Sequence, residues 1–311
     1  MHILYYFLFA YYFNFATPPF DNQKIDNILF IGHAYGNTED YDDKMDSSVI
    51  NFLNNFSTEK YKYIVWGGDF IYDCNNVNEI DNFINTLPLE VSKKSLFIWG
   101  NHEFICYNND VFEFIRRDEN KVIKLNGYDL YFLNTNFNNF SEVESLSKKI
   151  NLSKKKILFS HQVIFSKSNW FLRTNSRDNY ELANLFFEKL YLDKNLTIVS
   201  ADVGAIRGTP FLSFYKKNNA NLLSSGLGNG KRNYAIEIKV GMNSLQFIKL
   251  NLDNNKAKEL KPRFFPITLY NAVYYFFLSK KRTVVFLAIV VLVILIWKRK
   301  KLFKQNFTSL Y

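Results

Sequence analysis

The sequence predicts an α/β fold built on mixed sheets. Three observations carry that expectation. Short apolar runs recur between residues 27 and 250, and each stops abruptly at Gly or polar residues, as buried strands do on entering tight loops. Early in that stretch the runs alternate with stretches of helical periodicity. Late in it they follow one another as hairpins do, so the sheets are mixed rather than purely parallel. There is no internal repeat.

Taken in order, Asn27 to Ile31 is the first strand, ending at Gly32-His33-Ala34-Tyr35-Gly36. An acidic stretch (Glu39, Asp40, Asp42, Asp43, Asp46) precedes a helix from Ser47 to Phe56. Tyr63 to Trp66 is the second strand, ending at Gly67-Gly68-Asp69, and residues 77–87 read as helix. The third strand, Leu96 to Trp99, runs into Gly100-Asn101-His102-Glu103. Val122 to Leu125 and Tyr128 to Leu133 flank Asn126-Gly127, the residue pair that a type I′ hairpin turn favours. A helix at 142–151 precedes the strand Lys156 to Ser160 and then His161. A helix at 180–192 precedes Leu196 to Ser200, with Ala201-Asp202 after it. Phe211 to Tyr215, Tyr234 to Lys239 and Leu245 to Leu250 are the last three strands expected.

The charge is uneven. Of a formal +10, residues 256–311 carry twelve Lys or Arg against one acid, Glu259, which leaves residues 1–255 at about −1. The excess therefore belongs to a tail, and no nucleic-acid partner is expected of the folded part. The two cysteines, Cys74 and Cys106, exclude a disulfide framework, and without CxxC spacing they offer no thiolate metal site. Both follow motif loops that would bring them close. Sequence cannot show the Cα approach a bridge requires, and the reading leans toward unpaired thiols.

The ends differ from the middle. Residues 1–16 are almost wholly apolar from Ile3 onward and precede Thr17-Pro18-Pro19, which reads as a signal peptide or an N-terminal hydrophobic segment. Thr283 to Trp297 is an unbroken apolar run. As a helix it spans about 22 Å at ~1.5 Å per residue, short of a ~30 Å bilayer core, with Arg282 and Lys298 placed to snorkel. A transmembrane helix at 283–297 is expected, behind an amphipathic juxtamembrane linker at 253–282 and ahead of a basic tail at 298–311. The stronger basic cluster follows the run, which puts the tail in the cytoplasm and the folded domain outside it.

Five strands each end in a possible ligand: His33, Asp69, Asn101 with His102, His161, and Asp202. Carboxyl ends of strands in α/β sheets gather along one edge, where ligand sites form. Three of the four His stand at these ends, the fourth being His2. Asp, Asn and His together suit a hard or borderline divalent cation such as Mn, Zn, Fe or Mg.

Gly68-Asp69, Gly100-Asn101-His102-Glu103, Ser160-His161 and the order of the strands together resemble the calcineurin-like metallophosphoesterase superfamily over about residues 27–250. The resemblance implies a two-sheet α/β/β/α sandwich at 24–252, with Asp69 as bridging ligand and Asn101 and His161 on the second metal. His102 would stay off the metal as general acid, oriented by an acidic neighbour. Two departures stand out. The family's Asp-x-His opens here with Ile31 ahead of His33, and its final Gly-His-x-His reads Ala201-Asp202-Val203-Gly204. The first metal keeps His33 and the shared Asp69, whereas the second keeps Asp69, Asn101 and His161 and gains Asp202. One metal per chain is expected, or two should Asp42 or Asp43 loop back to complete the first site. His33 then contacts metal or phosphate. Gly226 to Gly230 reads either as an anion-binding backbone loop or as a plain hairpin loop.

The function expected is a membrane-anchored, extracytoplasmic, metal-dependent phosphoesterase acting on a cell-envelope phosphomonoester or diester. The alternative is a catalytically degenerate module of the same fold that binds a phosphorylated glycan or lipid. Retention of His102 favours the enzyme; loss of first-site ligands favours the binder.

Overall fold

A computed structural model describes residues 25–35, 45–106, 110–119, 121–136, 150, 154–162, 195–201, 212–217, 220–226 and 233–262. The described part forms two six-stranded sheets. The first contains β1 (Asp26–Ile31), β2 (Tyr61–Trp66), β3 (Ser95–Phe97), β10 (Tyr234–Val240), β11 (Leu245–Asn251) and β12 (Ala257–Glu259), in the order β12-β11-β10-β1-β2-β3. The second contains β4 (Val122–Leu125), β5 (Tyr128–Leu133), β6 (Lys155–Ser160), β7 (Leu196–Ser200), β8 (Leu212–Lys217) and β9 (Ala220–Ser225), in the order β4-β5-β6-β7-β9-β8. In the first sheet the parallel strands β1-β2-β3 run out to the β3 edge, and β10, β11 and β12 continue it antiparallel. In the second the parallel centre β5-β6-β7-β9 is closed by antiparallel β4 and β8.

This is the mixed α/β sandwich expected, and the strand period explains how it packs. Along β1, Ile28 and Phe30 face the second sheet, where Phe30 stacks on Phe159 at 5.8 Å and Phe159 on Phe132 at 5.4 Å. Leu29 and Ile31 face the other way, toward helices. Three of these are α1 (Ser47–Asn55), α2 (Val77–Thr86) and the single turn α3 (Leu89–Ser92), which contribute Val49, Phe52, Ile80, Phe83 and Val91 to the same cluster. Strands covered on both faces must be apolar at every position, which is why they read as unbroken runs. Asp46 caps α1 by accepting from the Ser48 amide at 2.8 Å, and Asn76 caps α2 through the Glu79 amide at 3.3 Å. Asn126 (φ 46°) and Gly127 (φ 80°) make the left-handed turn between β4 and β5 that their identities predict.

Three elements depart from expectation. β9 is a buried parallel strand with no counterpart in the sequence reading, β8 serving as its antiparallel edge. β12 adds an exposed edge strand inside the stretch assigned to the juxtamembrane linker. Cys74 and Cys106 are joined in a disulfide, their Cα atoms 5.9 Å apart, against the expectation of free thiols. The helices expected at 142–151 (Ile150 apart) and 180–192, the N-terminal segment, Asp42 and Asp43, residues 227–230 and the apolar run 283–297 all lie outside the described residues. Among the described residues no helix is long and apolar enough to cross a membrane.

Phe159 is fully buried where the sheets meet. Phe159→Ala is expected to lower stability by about 3–5 kcal/mol in urea denaturation. Truncating the exposed Val122 should change it by about 0.5 kcal/mol or less.

Candidate active site

The carboxyl ends of β1, β2, β3, β5, β6 and β7 lie along one edge, and the site is assembled there from loops. After β2 the chain turns through Gly68 (φ 85°) and Asp69 (φ 52°), both left-handed. Asp69 pays the usual penalty of a non-Gly residue in that region, of order 1–3 kcal/mol. A Cβ on Gly68 would fall 2.5 Å from the Gly100 nitrogen, and one on Gly100 only 2.2 Å from Asp69 Oδ1. The two loops touch backbone to backbone, and glycine is required on both sides.

Glu103 holds them in contact. It lies in α4 (Asn101–Phe104), a single turn opened by Gly100. Its fully buried carboxylate accepts four backbone N–H groups, Asp69 at 2.9 Å and Gly100 at 3.0 Å on Oε2, Phe70 at 2.8 Å and Ile71 at 3.2 Å on Oε1. Burial and the nearby Asp69 carboxylate push this carboxyl up to about 7, and the amides oppose that rise. All four partners are donors, and none would accept a carboxylic proton. The geometry is that of the ionised form.

With the loops so placed, Asp69 Oδ1 accepts the His102 amide at 3.1 Å, and Asp69 Oδ2 faces the fully buried His161, whose Nε2 lies 3.3 Å away. His161 Nδ1 donates to the Gly67 carbonyl at 2.8 Å, which leaves Nε2 directed at Asp69 and at Asn101 Oδ1, 3.0 Å away. Burial opposes the Asp69 charge, but His161, then His102 and His33, outweigh it and hold the carboxyl down at about 2. An imidazole nitrogen, an amide oxygen and a carboxylate oxygen therefore converge, and they need a positive charge between them, a proton on Nε2 or a metal cation. Donors about 2.1 Å from a shared cation stand roughly 3.0–3.4 Å apart between octahedral and tetrahedral angles. The two measured separations fall in that interval, and the donor set fits one divalent cation. Among the described residues no three His, Cys, Asp or Glu side chains converge in this way, so the amide of Asn101 is a necessary member.

His102 is half-buried beside this point. Its Nδ1 donates to the Tyr72 carbonyl at 2.6 Å, and its Nε2 stands 4.0 Å from Asp69 Oδ2. The orienting group is thus a backbone carbonyl, not the acidic side chain expected. Tyr35 and Tyr72 flank the His102 ring, with centroids at 5.3 and 5.2 Å. His33 is buried against Tyr35, 5.3 Å between centroids. Burial is the main cause that lowers His33 to about 4, with Asp69 opposing and His161 and His102 adding to the fall, so it is a neutral imidazole at pH 7.

The second sheet braces the first here. Asn136, beyond β5, donates to the carbonyls of Trp99 and Gly100, both at 3.3 Å, and Gln162 donates to Asn136 Oδ1 at 2.7 Å.

A sequence model of calcineurin-like phosphoesterases matches residues 27–224. The chain belongs to the calcineurin-like phosphoesterase family. A solved structure agrees in fold, and a second aligns more loosely. GAP50, described as the anchor in the inner membrane complex of Plasmodium, aligns at 10% identity and a TM-score of 0.50, covering 81% of this chain and 94% of that one. A zinc complex of Vps29 from Entamoeba histolytica aligns at 12% identity and a TM-score of 0.38, covering 75% of this chain and 97% of the other. No curated protein sequence matches significantly.

Of the residues expected at this family's site, the structure brings His33, Asp69, Asn101, His102 and His161 together, and Asp202 lies outside the described residues. Ile31 packs into the apolar cluster beneath the helices. The sequence reading gave no part to Glu103, Gly67, Tyr72, Asn136 or Gln162. Glu103 alone had a local signal, as the third residue of a helical turn that can return to the Gly100 amide.

Glu103→Gln keeps the shape but faces a side-chain NH2 against amide donors. It should cost about 2–4 kcal/mol in urea denaturation. A loss below about 0.5 kcal/mol would mean that the wild-type carboxyl is already protonated.

Proposed function

We infer that this chain is a phosphoesterase using one divalent cation (Mn, Zn, Fe or Mg) to hydrolyse a phosphomonoester or phosphodiester. The observation that carries the reading is the convergence of His161 Nε2, Asn101 Oδ1 and Asp69 Oδ2 beside His102. Asp69, Asn101 and His161 would hold the cation, joined by Asp202, while His33 would serve the phosphoryl group rather than the cation. A cation bound there supplies a nucleophilic water at neutral pH and offsets charge building on the phosphoryl oxygens.

The chain's own groups do the rest. His102, anchored through Nδ1, carries a proton on Nε2 when cationic and delivers it to the leaving oxygen. Asp69 stabilises that imidazolium from 4.0 Å. Neutral His33 offers one ring N–H to a phosphoryl oxygen. Tyr35 and Tyr72 pack against the His102 ring.

The same proposal places the enzyme in a membrane through residues 283–297, with the folded domain outside the cytoplasm, the tail at 298–311 inside it, and a cell-envelope phosphoester as substrate. The Cys74–Cys106 bridge supports that side, since disulfides persist in oxidising compartments.

A second reading is a module of this fold that binds a phosphorylated glycan or lipid without cleaving it. Ile31, an apolar core residue where the family carries an aspartate, favours it. The anchoring role given for GAP50 is consistent with it.

Elemental analysis of the full chain in detergent, with Mn or Zn supplied, decides between them. The enzyme reading expects one equivalent per chain, lost in Asp69→Ala. It expects His102→Ala to keep the metal while kcat falls about 10²–10⁴-fold. Two equivalents would mean that an acidic residue such as Asp42 completes a second centre. No metal would remove the hydrolase and leave the binding module.

A further inference from the structure

The disulfide does not lie in an arbitrary part of the fold. Cys74 is two residues beyond Tyr72, whose carbonyl orients His102, and Cys106 is four residues beyond His102 itself. The segment after β2 and the segment after β3 run beside each other and are joined in sequence. Glu103 accepts from Asp69, Phe70 and Ile71, His102 donates to Tyr72, and Cys106 is bonded to Cys74. Glu103 closes the inner side of the His102–Tyr72 contact, and the disulfide closes its outer side.

That contact needs the support. The His102 side chain is 22% exposed, so water competes for its ring nitrogens. A single neutral hydrogen bond contributes about 1 kcal/mol net, a factor of about five in population. A general acid must stay within hydrogen-bond reach of one atom. Glu79 also grips the Tyr72 loop, through the Tyr72 amide and the Asp73 amide (2.9 Å), but it tethers that loop to α2. The disulfide ties it covalently to the segment that carries His102.

We propose that Cys74 and Cys106 are positioning residues, whose bridge fixes the Tyr72 carbonyl against His102 Nδ1 and so aims His102 Nε2 at the leaving oxygen. This rests on the phosphoesterase reading above. The bridge contributes nothing to the donors Asp69, Asn101 and His161, so its loss impairs protonation of the leaving group and leaves metal binding intact.

The test compares the wild-type full chain with Cys74→Ser/Cys106→Ser in detergent, using p-nitrophenyl phosphate and phenyl phosphate. The first leaving group departs with little help from an acid, and the second needs it. The double variant should keep its metal content, lose about two-fold or less on the nitrophenyl ester, and lose tenfold or more in kcat on the phenyl ester. In a His102→Ala background the same two substitutions should cost nothing further on either ester. Equal losses on both esters, or a full additional loss without His102, would overturn the proposal and make the bridge a general stabiliser. Should the serine variant fail to fold, phosphine reduction of the folded wild type serves in its place.

Nitrogen-15 spectra of His102 separate the proposal from the reading beneath it. Loss of the bridge should erase the Nδ1–H tautomer signature at neutral pH, and an unchanged ring would overturn the positioning role. If the wild type hydrolyses neither of these monoesters nor bis(p-nitrophenyl) phosphate, the phosphoesterase reading fails, and these spectra still decide whether the bridge orients His102.

Discussion

One buried carboxylate sets the geometry of the site. Glu103 gathers four amides from two loops that leave adjacent strands, and it does so where no water replaces them. Everything chemical is placed relative to that knot. Asp69 sits on one of the knotted loops, and Asn101 and His102 begin the turn that Glu103 itself belongs to. The left-handed backbone at Asp69 and the glycines at 68 and 100 are consequences, since a carboxylate cannot reach both loops unless the loops touch. The cost of holding Asp69 in a disfavoured conformation is offset by hydrogen bonds to a charged acceptor, which are stronger than neutral ones.

Two carboxylates buried side by side would repel if neither were compensated. The structure separates their compensation. Glu103 is held by four backbone amides, with His161 adding to their effect. Asp69 is left to the histidines and to whatever positive charge sits among His161, Asn101 and Asp69. The arrangement keeps the scaffold intact whether or not that position is filled, because the group that holds the loops together is not a ligand.

The parts of the fold visible in sequence were those governed by local rules. β1, β2, β6 and β7 read as buried strands because both faces are covered, and Asn126-Gly127 named its own turn. β9 escaped because its apolar residues Leu222 and Leu223 sit between half-buried Asn221 and the buried Ser224 and Ser225. Only three residues long and exposed, β12 carries no hydrophobic pattern at all. The site divides in the same way. His33, Asp69, Asn101, His102 and His161 were legible because each follows an apolar run. The carbonyls of Gly67 and Tyr72 carry no signal in any sequence, since every residue has one. The disulfide was illegible for a geometric reason: 32 residues separate its cysteines, and only the contact between their loops makes the bridge possible.

Ile31 shows why this site is asymmetric. Its side chain belongs to the same apolar cluster as Trp66, Phe70 and Val49, and is fully buried there. A carboxylate in that environment would be stable only with a cation or a hydrogen-bonding partner close by. The apolar side chain removes the need for one and contributes packing instead. His33, two residues further on, is a buried ring packed against Tyr35, and burial keeps it neutral at pH 7.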